Sequence, residues 1–128
     1  QLTEVGILDL IAVVAQVAAR GQSISLAEVG SCGALAVALT QSADGRKTVV
    51  GDFVAPSQQQ LLQMLQIPAD RLTGTSHHGQ LEILAGAIAQ RTNSDWVIVV
   101  GEPAVSDGST NPAIRLTKSC FFSPDSAK

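Results

Sequence analysis

Six consecutive residues, Glu28-Val29-Gly30-Ser31-Cys32-Gly33, place a carboxylate, a hydroxyl and a thiol in one glycine-punctuated stretch. A hydroxyl or thiol there can attack an acyl carbon, provided a neighbouring group takes its proton. Backbone N–H groups of a glycine-rich turn that opens a helix can hold an oxyanion or a phosphate. The spacing is not that of the G-x-S-x-G nucleophile elbow, and the commoner role of such a stretch is a tight strand-to-helix turn. Cys32 is the stronger intrinsic nucleophile, but no cation stands near it in sequence to activate it. Glu28, directly before the turn, either caps it or holds a ribose hydroxyl, and its position in the chain leaves both open.

Other reactive side chains are sparse. His77-His78 are adjacent, whereas a metal-binding pair on a helix needs i, i+4 spacing, so they are expected to be solvated helix-end histidines. Cys32 and Cys120 are too few for a disulfide framework and wrongly spaced for zinc. Both are expected to be reduced, small buried side chains of a cytoplasmic protein. Asp107, between Ser106 and Gly108, suits a turn. No metal and no cofactor are expected.

The elements that must position these residues follow from periodicity and punctuation. Thr3 to Ala19 is predicted helical, capped by Thr3, ended by Arg20-Gly21, with Leu8, Ala12, Ala15 and Ala19 on one face and Ile11 and Val14 widening it. Ser23 to Ala27 is a short strand, and Ala34 to Thr40 a helix after the glycine turn. Asp44-Gly45 marks a loop and Thr48 to Ala55 a second strand. Ser57 starts a third helix in a capping-box arrangement with Gln60, and Leu61, Leu62, Met64 and Leu65 form its apolar side up to Pro68. Ser76 caps a fourth helix in which Leu81, Leu84, Ala85, Ile88 and Ala89 recur at helical spacing. Trp96 to Val100, almost wholly apolar and ending in Gly101, suits a strand buried on both faces, and Ala113 to Phe122 a later strand. Helices alternating with strands indicate one α/β domain built as a three-layer α/β/α sandwich.

A chain of 128 residues fits one domain. Only 15% of its residues are charged against the usual quarter, so either the core is unusually buried or partner subunits cover apolar surface. A net charge of −3 without a Lys/Arg cluster argues against nucleic acid. The apolar run Val5 to Ala19 carries Glu4 and Asp9 where a signal peptide wants positive charge. It is also shorter than the roughly 20 residues a membrane span needs, so no membrane association is expected.

Arg20-Gly21, then Ala27-Glu28-Val29-Gly30-Ser31-Cys32-Gly33-Ala34-Leu35-Ala36, then Leu39-Thr40 resemble the nucleotide-amidase domain at the C-terminus of CinA. That domain also occurs alone as nicotinamide-nucleotide amidase, with the approximate pattern R-G-x5-A-E-S-C-T-G-G-x-L-A-x3-L-T. The match runs without a gap from residue 19 to 67, is moderate to Gly101 and weak beyond. It implies a CinA C-terminal-like domain over residues 1–128. The family domain normally continues into a helix near a G-D-R motif. Here Ser123-Pro124-Asp125 stands at that place and Lys128 ends the sequence, so either the protein naturally lacks that helix or the chain is a truncated form; without that layer the uncovered sheet is expected to favour an oligomer.

The resemblance also implies what chemistry is lost. In the family, the serine after Ala-Glu attacks the carboxamide of a nicotinamide nucleotide, and a lysine on the helix after the second strand is its base. The gapless register puts Val29 at the nucleophile and Leu61 at the base, and Pro56 replaces the tyrosine before Ser57. The signature G-I-A-G-P-x-G-G is reduced to Gly101-Glu102-Pro103-Ala104-Val105-Ser106-Asp107-Gly108, preceded by Val100 in place of a small hydroxyl residue. The expected ligand-pocket residues are therefore Glu28, Val29, Gly30, Ser31, Gly33, Ser57, Leu61, Gly101, Asp107 and Gly108. The expectation is an inactive relative that binds nicotinamide or another nucleotide, or that assembles with itself or a related subunit. A purely structural subunit, its cleft filled by Val29, Leu61 and Val100, is a further reading. The alternative is an active amidohydrolase that uses Ser31, through an offset insertion and deletion, or Cys32.

Overall fold

The computed structural model describes residues 2–101 and 113–118, with side chains over 9–101. Helix α1 (Leu2–Ala19) precedes strand β1 (Ile24–Val29), followed by helices α2 (Ala34–Leu39) and α3 (Ala43–Thr48) and strand β2 (Val49–Ala55). Helix α4 (Gln58–Leu65), a 3-10 turn (Ala69–Leu72) and helix α5 (His77–Thr92) lead to strands β3 (Trp96–Gly101) and β4 (Ala113–Lys118). The sheet order is β2-β1-β3-β4; the first three strands are parallel and β4 is antiparallel to β3.

Two apolar layers sandwich the sheet, as the three-layer expectation requires. Alternation along β1 sends Ile24 and Leu26 towards α1 and α2, where they meet Leu10, Val14, Val17, Leu35, Leu39, Ile98 and Val100. Ala27 and Val29 point the other way, onto Leu61, Leu62, Leu65, Leu81, Leu84 and Ile88 of α4 and α5. Every residue of β1 is buried because the strand is covered on both faces.

Helix ends follow their local chemistry. Gly21 (φ +68°) ends α1, with Gln22 N–H donating to the Val17 carbonyl and Gly21 N–H to Ala18, the Schellman arrangement. The Ser57 and Ser76 hydroxyls accept from the N–H groups of Gln60 (3.3 Å) and Gly79 (3.0 Å) at the starts of α4 and α5. The Ser57 hydroxyl also donates to Gln60 Oε1 at 2.7 Å, closing the box. Gln66 in the left-handed region ends α4 two residues before Pro68.

Three expectations are corrected. Thr3 lies inside α1 rather than capping it, because the helix already includes Leu2. Among the described side chains of α1 the buried ones are Leu10, Val14 and Val17, while Ile11, Ala12, Ala15 and Ala19 are exposed; Leu8 lies outside the described side chains. This helix is apolar nearly all round, so periodicity could not select the face; docking onto the sheet did. Asp44-Gly45 belongs to α3, not a loop. Ser42 caps that helix, accepting from Gly45 N–H at 3.0 Å, and Gly45 is needed for proximity: a Cβ there would lie 1.7 Å from the Leu39 carbonyl oxygen.

Candidate functional site

Because β1, β2 and β3 are parallel, their carboxyl ends lie together, where open α/β sheets place ligands. Val29 pairs with Ala55, and Glu28 with Val54 on one side and Val100 on the other. Glu28, Val29, Gly30, Ser31 and Gly33 thus occupy the β1–α2 junction, Ser57 and Leu61 the β2–α4 junction, and Gly101 the end of β3. Asp107 and Gly108 lie outside the described residues.

Between Val29 and Leu61 there is apolar packing. Val29 is 4% exposed and Leu61 0%, and both sit in one cluster with Ala55, Leu62 and Leu84. Neither side chain has a proton to exchange. Val100 belongs to the opposite apolar layer, so it does not join Val29 and Leu61 in filling a common cleft. Ser57 spends its hydroxyl on capping α4.

Glu28 resolves its two readings in favour of the cap. The side chain is fully buried. Its Oε1 accepts from the Ser31 hydroxyl at 2.7 Å and from Leu35 N–H at 2.9 Å, and Oε2 accepts from Ala36 N–H at 3.1 Å. A carboxylate from the preceding strand thus occupies the orphan donors of α2 and compensates its dipole. Gly30 (φ +82°), Cys32 (φ +57°) and Gly33 (φ +86°) all lie in the left-handed region, which lets the chain reverse tightly enough to lay α2 over Glu28. The same turn leaves Cys32 exposed, correcting the expectation of a buried thiol. Cys120 lies outside the described residues.

One participant was not foreseen. Asp52, on the edge strand β2, pairs by register with Leu26 and therefore shares the face of Leu26 and Glu28. Both Asp52 carboxyl oxygens are buried, and no N–H or hydroxyl of the described residues reaches them. The strand register sets Asp52 on the same face as Glu28, whose carboxyl is the charged group that acts on it. Two carboxyls can share a hydrogen bond only if one keeps its proton. Burial, the Glu28 hydrogen bond and the Glu28 charge push Asp52 up to about 8. Burial also raises Glu28, but hydrogen bonds from Asp52, Ser31, Leu35 and Ala36 outweigh it and hold that carboxyl below its ordinary value. The opposite directions favour a shared proton on Asp52 rather than on Glu28. A lone aspartate within an apolar strand, where Asp is disfavoured, was the available signal.

The remaining candidates stay apart. His77 is half-buried and His78 exposed, 3.8 Å from Glu82 on the next turn of α5. Among the described residues no group of three or more metal-ligating side chains forms. A cavity of about 420 Å³ lies elsewhere, along the outer side of α5, lined by residues that include Arg71, Thr75, Glu82 and Ile83. No described helix is long and apolar enough to cross a membrane.

No protein-family model matches this sequence, and no curated protein matches it. Solved structures do. The chain is similar to the competence damage-inducible protein A (ComA) of Klebsiella pneumoniae subsp. pneumoniae at 22% identity and a TM-score of 0.65. That alignment covers 88% of this chain and 81% of the other. Similarity to the competence/damage inducible protein CihA of Agrobacterium tumefaciens has 19% identity and a TM-score of 0.64, over 88% and 79% of the two chains. For a CinA superfamily protein of Escherichia coli the values are 20% and 0.62, over 88% and 76%. The fold is CinA-like.

Proposed function

We propose that this chain is a catalytically silent relative of the nicotinamide-nucleotide amidases whose role is assembly, with itself or with a related subunit. The supporting observation is the closed apolar packing of Val29 against the Leu61 cluster, at the two positions where the family resemblance expects a nucleophile and its base. Filling both positions with packed aliphatic side chains removes proton transfer between them. A nucleotide-binding role has weaker support, because the Leu35 and Ala36 N–H groups that would meet a phosphate already hold Glu28. Assembly has positive support in exposed apolar side chains on several elements: Ile11, Val37, Val50, Val54 and Met64.

The active-enzyme reading draws on one contact, the Ser31 hydroxyl donating to Glu28 Oε1 at 2.7 Å. Glu28 is a poor base for it. Its carboxylate accepts three hydrogen bonds and is held below the ordinary range, so it gains little by taking the serine's proton. Pure protein should release no ammonia from nicotinamide mononucleotide, and Ser31→Ala and Cys32→Ala should change nothing. Ammonia release abolished by either substitution would establish the enzyme instead. Light scattering should give a mass above that of one chain, and a monomer at high concentration would remove assembly with itself.

A further inference from the structure

We propose that Glu28 and Asp52 form a one-proton latch that fastens edge strand β2 to the β1–α2 junction, and that loss of the shared proton in alkaline solution loosens this corner. The inference is independent of the assembly reading. Its basis is an asymmetry of partners. Glu28 is held by Ser31 Oγ–H, Leu35 N–H and Ala36 N–H, whereas both buried oxygens of Asp52 lack any such donor among the described residues. Asp52 can therefore be accommodated only as the donor, its hydroxyl hydrogen lying between the two carboxyls. Removing that hydrogen to solvent base leaves two negative charges in a poorly solvated space, with the hydrogen bond gone.

Little else on neighbouring elements can take over. Helix α2 (Ala34 to Leu39) has no ionisable side chain, and Glu28 and Asp52 are the only ionisable groups of β1 and β2. On the turn, Cys32 is exposed; on α3, Asp44, Arg46 and Lys47 are exposed, with Arg46 donating to the Thr40 and Gln41 carbonyls. Described ionisable residues at α1, Asp9 and Arg20, are exposed, and β3 has none. The causes that act on Asp52 include no cation. β2 has β1 on one side only in the described sheet, so repulsion on its inner face can be relieved by outward movement.

The sign follows from linkage. Asp52 is raised in the folded state, so its contribution is present below its unfolded value and is lost as pH climbs to about 8. Glu28 is lowered, so its contribution fades on acidification. The fold should therefore be most stable in mildly acidic solution. Two measurements on the full chain test this. In a carbon-13 titration, with the Asp52 carboxyl identified by its loss in Asp52→Asn, that signal should remain protonated through neutrality and move near pH 8. Movement in the ordinary carboxylate range near pH 4 would overturn the latch. The thermal midpoint of the wild type should fall between about pH 5 and 8 and then level. Asp52→Asn, whose amide can donate to Glu28 at any pH, should flatten that fall. An equally steep fall in Asp52→Asn would also overturn it. If that variant does not fold, the wild-type carboxyl signals, read directly for one titrating near pH 8, decide the matter alone.

Discussion

Replacing Glu28 with alanine tests the reading of that residue as a structural cap. The side chain is fully buried and accepts hydrogen bonds from Ser31, Leu35 and Ala36. Alanine would strand the Leu35 and Ala36 N–H groups at the start of α2, and each buried donor left unpaired costs about 1–3 kcal/mol. A net loss of about 2–4 kcal/mol is expected, a large fraction of the roughly 5–15 kcal/mol that holds a domain of this kind together. Glu28→Gln keeps one acceptor oxygen but turns an amide donor towards donors, so its loss should lie between wild type and alanine. Urea unfolding at neutral pH is the assay. With m of about 1–3 kcal/mol per molar, the alanine midpoint should fall by roughly 1 M or more at unchanged m. A loss below about 1 kcal/mol, or a glutamine variant less stable than alanine, would refute the cap as argued.

Two further substitutions probe the rest of the core. Leu61→Ala should cost about 2–5 kcal/mol by opening a cavity beneath α4, measured by the same unfolding curve; a near-neutral effect would mean the space around Val29 is loosely filled. Ser25 is fully buried and its hydroxyl meets no partner among the described residues. Ser25→Ala should therefore leave stability unchanged or raise it by about 1 kcal/mol, read as a thermal midpoint that does not fall.

How much was legible in the sequence varied with the range of the interactions concerned. α5 was fully legible, because Leu81, Leu84, Ala85, Ile88 and Ala89 alternate with polar residues at helical spacing and all are buried as expected. α4 and its Ser57 cap were legible for the same reason, apart from Met64, which is exposed. α1 was legible as a helix but not as a face, since apolar residues surround it. α3 was not legible, because glycine signals a turn locally, while Gly45 serves a close approach to Leu39 that only the folded chain creates.

The candidate site divides in the same way. The sequence determined which side chains exist: a valine and a leucine where a nucleophile and a base were expected, a glycine-rich turn, and a carboxylate just before it. Composition and order of elements likewise determined the α/β class, because alternating apolar segments of helical and strand length have few ways to bury their faces. Tertiary structure decided what those side chains meet. It closed Val29 and Leu61 into one apolar layer, placed Val100 in the other, exposed Cys32, and turned Glu28 inward onto the amides of α2. It also brought Asp52, 24 positions further along the chain, against Glu28 by pairing β2 with β1. Periodicity is local and visible in the chain, whereas register between strands and the desolvation it produces arise only when distant segments are packed together.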